Sequence, residues 1–358
     1  MDGSAALREA LTHPESILQR TGEELGQLLA AAREAGMLGT LWHLAQIHDI
    51  DETIPEALAR HLRGGFIRSE HNTEALRWEL ETLQNTLLNK LPAPIALKGS
   101  AYLLRQLPNA PGRISQDIDL MYPSSQVEAA EELLQFEGWT TTHHDDYDQR
   151  YYREWMHELP PLQHKVRGTT IDLHHNILPR TFKVRINPQR LWEHSLPAPL
   201  PWRYRLLCDE HMVLHCVCHL FSETDWARSI RDLYDIKVLI EHFQQTEGDG
   251  FIDRLIHEAE ALGLSWILER ALTLAASALH LALPERAWQP LKPHQPSAIT
   301  RPLERSIYLH GINTHATDSP ARDTFAQAAL FVRGHYLKMP LPLLVKHLTH
   351  KALTKTPD

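Results

Sequence analysis

The stretch Ser115-Gln116-Asp117-Ile118-Asp119-Leu120-Met121-Tyr122 alternates acidic and aliphatic side chains at its centre. A period of two puts Asp117 and Asp119 on one face of a strand and Ile118 and Leu120 on the other, the pattern of a half-buried β-strand. The two aspartate Cα atoms then lie about 6.6 Å apart, so both carboxylates can serve one site. Carboxylate oxygens are hard donors that suit Mg²⁺, an ion commonly held by one or two carboxylates together with substrate phosphates. An Asp-x-Asp at a solvated strand end needs no ligand, so the flanking sequence has to decide.

Upstream, Pro92 and Pro94 end a helical pattern, and Ile95-Ala96-Leu97 reads as a short buried strand. It runs through Lys98-Gly99-Ser100 into a helix expected from about Ala101 to Gln106. Glycine at such a turn permits close backbone approach, and the first N–H groups of the helix with the Ser100 hydroxyl can receive a phosphate. Downstream, 108–112 is a loop, 125–136 a helix and 139–142 a strand. Residues 162–166 and 169–174 flank Arg167-Gly168 as a β-hairpin. On its second strand Asp172 stands between Ile171 and Leu173, and an acid in so apolar a setting is either buried and paired or aimed into a site. The middle third therefore reads as α/β.

Helical periodicity dominates on either side. Leu25, Leu28 and Leu29 share one face, and Leu76, Leu80, Leu83, Leu87 and Leu88 recur at three- and four-residue steps. A proline-rich, loop-like stretch at 188–201 marks a boundary, after which helices are expected at 206–221, 226–243 and within 251–283. The expected organisation is a helical N-terminal region (1–90), an α/β core (91–187) and a helical C-terminal region (188–358).

Composition narrows the function classes. The 358 residues are 43% hydrophobic and 23% charged, and no apolar run approaches the roughly 18 residues of a membrane span. Asp2 and Glu9 at the start predict no secretory signal, and Cys208, Cys216 and Cys218 lie too close together for a disulfide framework, so a cytoplasmic protein with reduced thiols is expected. A net charge of −9 disfavours wholesale nucleic-acid binding, which draws on clustered Lys and Arg. His211, His215 and His219 repeat every four residues, but no metalloprotease glutamate accompanies them and Cys216-Val217-Cys218 lacks the zinc-knuckle spacer, so a packed histidine stripe is expected. Asp232 and Asp235 read as ion-pair partners of Arg228 and Arg231, and 341–355 as a solvated terminal helix.

Taken in order, Leu97-Lys98-Gly99-Ser100-Ala101, Arg113 with Asp117-Ile118-Asp119-Leu120, and Ile171-Asp172-Leu173-His174 resemble the uncharacterised nucleotidyltransferases of the DNA polymerase β-like superfamily. The resemblance is best over 95–178 and looser around 211–219 and 231–232. It implies an α+β fold, a central mixed sheet flanked by the two helical regions. It also implies an enzyme moving an NMP group from an NTP to an acceptor hydroxyl on a small molecule or protein, with nucleic acid less favoured. Asp117, Asp119 and Asp172 would be the catalytic and metal-binding acids for Mg²⁺, with Mn²⁺ as the alternative. Lys98, Gly99, Ser100 and Arg113 would bind the nucleotide, and His174 would contact the acceptor. A catalytically silent nucleotide-binding or partner-regulated module, or a kinase on the same fold, are the competing readings.

Overall fold

Around the Asp117 strand the chain builds one mixed sheet. Its strands are β1 (Ile95–Ala96), β2 (Asp117–Met121), β3 (Trp139–Thr141), β4 (Leu162–His164), β5 (Thr170–His174), β6 (Leu196–Pro197) and β7 (Arg205–Leu206). They lie in the order β3-β4-β5-β2-β1-β7-β6. The pairs β2–β5 and β1–β7 are parallel and the remaining pairs antiparallel. This is a computed structural model, describing residues 2–143, 145–226, 228–248, 250–313 and 319–346; most of the expected terminal helix lies outside them. The fold is α+β, with helices packed around the sheet as expected.

Local chemistry explains the central elements. Ile118 and Leu120 are buried, as their alternation requires. The expected hairpin forms, pairing Leu162 with Ile171 and Gln163 with Thr170. Its turn is closed by Gly168 at φ +72° and by His164, whose Nδ1 accepts the backbone N–H groups of Val166 and Arg167, each at 3.2 Å. Strand β6 departs from the expectation of a loop over 188–201, and β7 takes in Leu206, where a helix was expected to begin. Two residues each, with Pro197 in β6, give no readable period, and it is pairing, of β7 with β1 and of β6 with β7 at the sheet edge, that makes them strands.

The N-terminal helices fix the loop that feeds β2. The long helix Glu56–Thr86 packs against Leu38–Ile47. From it, the Asn72 side chain both donates to Ser115 O at 2.9 Å and accepts from Ser115 N at 2.8 Å, two residues before Asp117. About two turns further on, buried Glu79 takes a fork of two bonds from Arg167, at 2.8 and 2.6 Å, and so ties the same helix to the β4–β5 turn. One apolar core runs continuously from Ala6 to Leu337. Among the described residues no helix is long and apolar enough to cross a membrane.

Three glycines permit this close approach. A Cβ on Gly39 would sit 2.6 Å from Gly112 O and 3.1 Å from Gly65 O, and Gly112 itself adopts φ +77°. Gly39→Ala is therefore expected to destabilise the fold by about 1–3 kcal/mol through overpacking. Gly64→Ala, in the long helix Glu56–Thr86 with nothing near its Cβ position, should instead stabilise by roughly 0.5–1 kcal/mol. Urea unfolding of the two variants checks the contrast, and equal effects would remove the close-approach argument.

Candidate active site

The site is assembled by strand register. Asp119 on β2 stands directly beside Asp172 on β5, and Asp117 stands beside Thr170 two residues back on the same face. One carboxylate oxygen from each of Asp117, Asp119 and Asp172 can be chosen so that all three lie within 4.8 Å of one another. The turn after β1 brings in the counter-charge, with Lys98 Nζ donating to Asp119 Oδ1 at 2.7 Å. To do so Lys98 adopts φ +45°, a left-handed conformation costly for a residue with a Cβ. The same oxygen meets His174 Nε2 at 2.9 Å, and Glu158, which the sequence reading missed, lies 3.5 Å from His174 Nδ1.

Charge is distributed unequally over the triad. Burial alone would push the Asp119 carboxyl up, but Lys98 and His174 outweigh it and hold the group far below the usual carboxylate range. Asp117 is pushed up, chiefly by the neighbouring Asp119 charge and then by burial. Asp172 is pushed well up, first by burial and then by the charges of Asp119, Glu158 and Asp117, and its Oδ1 is buried without a hydrogen-bond partner. The ammonium of Lys98 resists burial because Asp119 and Asp117 face it, so its affinity for its proton rises.

A cavity of about 660 Å³ opens beside the triad. Lys98, Gly99, Arg113 and Asp117 line it, and the C-terminal helices Asp209–Ser222 and Ser229–Glu247 close the far wall with Cys216, His219, Arg231, Asp232 and Asp235. Glu34 reaches it from the N-terminal helices. Gly99 is needed where it stands, because a Cβ there would lie 2.1 Å from Ser115 Oγ and 3.0 Å from Ser115 Cβ. Ser100 is fully buried with no partner for its hydroxyl, and it is not among the residues lining the cavity. His174 is likewise fully buried behind Asp119, so the acceptor contact expected of it finds no exposed surface.

The wall contributed by the second helix pair differs from the sequence reading. Asp235 bonds to Arg113 and, through Oδ1 at 3.0 Å, to Asn109, both from the core, rather than to an arginine of its own helix. Asp232 does keep Arg231, at 3.1 Å, and adds His219 at 3.3 Å. Tyr102 OH and Cys216 Sγ meet at 2.6 Å across the same junction, and the Arg113 guanidinium lies over the Tyr102 ring. The Asp235–Arg113, Asp235–Asn109 and Tyr102–Cys216 partners are more than 100 residues apart in sequence, and only the fold reveals them.

Comparison with known families now adds to the geometry. Residues 21–280 match the family model described as uncharacterised nucleotidyltransferase. The chain belongs to that family. No curated protein and no solved structure matches it. The matched span includes all seven strands and every cavity-lining residue of this family member. It also takes in the N-terminal helices from Thr21 onward, where the sequence reading found no resemblance.

The histidine stripe divides along its helix. His211 and His215 are buried and His219 lines the cavity, because a four-residue step rotates about 40° further than a full turn. Burial, then the charge of Lys98, lowers the proton affinity of His215 well below the ordinary histidine value, so a neutral imidazole faces the triad side.

The raised Asp172 group makes stability depend on pH. Its protonated form is favoured by the folded chain, so the stability it contributes is present below the ordinary carboxylate value and lost as pH rises through the higher folded value. Asp172→Asn is expected to raise Tm of the metal-free protein by about 2 °C or more near pH 8, and to change it little near pH 4. Calorimetry at the two pH values checks this, and an unchanged or lowered Tm at the higher one would contradict the strained carboxyl.

Proposed function

We propose that the chain is a divalent-metal-dependent nucleotidyltransferase that moves an NMP group from an NTP to an acceptor hydroxyl and releases pyrophosphate. The observation that carries this is the register of β2 against β5, which gathers Asp117, Asp119 and Asp172 beside a cavity large enough for a nucleotide. The three acids fit a cation, since Asp172 Oδ1 is buried with no partner and its carboxyl is strained by the other two. When bound, Mg²⁺, or Mn²⁺ in its place, would neutralise the triphosphate and the developing charge of an in-line displacement.

The chain's own groups have separable tasks in this reading. Gly99 lets the Ser115 side chain pack against the helix start at the cavity wall, and Lys98 supplies positive charge there while fixing Asp119. Arg113 has a buried Nε with no partner, 3.9 Å from the Cβ position of Gly99, and would contact phosphate oxygens. Ser100, turned into the protein, supports the turn. Asp172, whose proton affinity is raised, would accept the proton of the acceptor hydroxyl. His174 orients Asp119 from behind. The acceptor would be a small molecule or a protein side chain, because the cavity carries six acids, Glu34, Asp117, Glu223, Asp225, Asp232 and Asp235, and the net charge is −9. Three free cysteines are consistent with a reducing, cytoplasmic compartment.

Incubating the protein with Mg²⁺, cell extract and NTP labelled at the α or γ phosphate tests the reading. The α label is expected to enter an acceptor. Transfer of γ label alone would establish a kinase on this fold, and binding without transfer a silent module; either would overturn the proposal. Asp117→Asn is expected to lower transfer by about 100-fold or more while leaving Tm close to wild type. Asp119→Asn is a poorer test, since it would leave the Lys98 ammonium with a buried, weakened partner and cost stability.

A further inference from the structure

Away from the carboxylate site, the start of the helix Asp209–Ser222 meets the end of the short helix Pro188–Glu193. Cys208 and His211 are three residues apart, at the N-cap and third position of the first helix, and His194 follows the last residue of the second. One donor atom from each of His194, Cys208 and His211 lies within 4.8 Å of the other two. The His194 and His211 rings stack with centroids 5.3 Å apart and planes 13° from parallel.

His211 is the informative member. It has no exposed surface, and its Nε2 is 2.9 Å from Glu258 Oε2, while its Nδ1 is buried without any hydrogen-bond partner. Glu258 is itself fixed by Arg190, through Nε at 2.9 Å and Nη2 at 2.7 Å. A carboxylate that takes one ring N–H and so presents the other nitrogen as a lone pair is the usual outer support of a metal-binding histidine. An orphan buried nitrogen with such a support, next to a thiol and a second imidazole, has little other use.

We propose that His194, Cys208 and His211 bind a borderline-soft divalent cation of the Zn²⁺ class, independently of the carboxylate site. One thiolate and two imidazoles suit Zn²⁺ and discriminate against Mg²⁺, which prefers oxygen. The thiol loses its proton to solvent on binding. Three protein ligands would leave a fourth position for water or a further ligand. The site would join the sheet edge to the helix that carries Cys216 and His219 to the cavity, so metal there would brace the cavity wall.

Titrating metal-stripped full-length protein with Co²⁺ tests this. One equivalent is expected to produce a thiolate-to-cobalt charge-transfer band that Zn²⁺ abolishes. Cys208→Ser should remove the band, whereas the double variant Cys216→Ser, Cys218→Ser and the separate variant Asp117→Asn should keep it. Glu258→Gln should weaken binding about 10- to 100-fold, and His194→Ala, at an exposed position where folding is not at risk, by at least as much. Absence of the band at one equivalent in the wild type, or its survival in Cys208→Ser, would overturn the proposal.

Discussion

Two parallel strands in one fixed register confront three carboxylates, and much of the molecule is arranged around that confrontation. At an effective dielectric constant of about 20, two unit negative charges at such separations repel by roughly 3 kcal/mol or more. A slip of one residue between β2 and β5 would relieve the repulsion, yet it would also turn Ile118 and Leu120 out of the core. The apolar face therefore enforces the polar one. Lys98 accepts an unfavourable backbone conformation to place its ammonium on Asp119, and His174 meets the same oxygen from the other side. With Asp119 satisfied, the residual strain falls on Asp172, whose buried oxygen has no partner.

The register would mean little if the loop before β2 could move. Asn72 holds the Ser115 backbone through both its amide groups, and Glu79, on the same helix, holds Arg167 in the β4–β5 turn. A single long helix thus fixes the approach to both acid-bearing strands. This gives the N-terminal helices a mechanical part in the site that their sequence, a plain leucine periodicity, does not announce.

That contrast explains what was legible. Period-two alternation around Asp117 and the strand-turn-helix at Gly99 are local patterns, imposed by backbone geometry on adjacent residues, and the strand, turn and hairpin could be read from them. Partners distant in the chain leave no such trace. Glu158 reaches His174 through a separate bridge, Asp235 reaches Arg113 across 122 residues, and Cys216 reaches Tyr102 across 114. The short strands β6 and β7 were hidden for another reason: two-residue segments acquire strand character only from the neighbours they pair with. The histidines show both limits at once. Their four-residue spacing was visible, but not that His211 turns to Glu258 while His219 turns to Asp232.

The cavity's cations are not idle in the ligand-free chain. Lys98 pairs with Asp119, Arg113 with Asp235 and Arg231 with Asp232, so in the proposed reading an entering triphosphate meets positive charge that is largely neutralised by carboxylates, with the exposed Arg228 at the cavity wall as a further cation. Each pair is partly buried, where separating charges costs far more than at a surface. A polyanion can use these cations at low cost only if the pairs stay intact and phosphate takes the donors left over, such as Arg113 Nε beside Gly99. The same acids that hold the cations in place also repel a bare triphosphate. In the proposed reading a divalent cation held by the triad would supply much of the remaining attraction, so metal and nucleotide are expected to bind with positive coupling rather than independently.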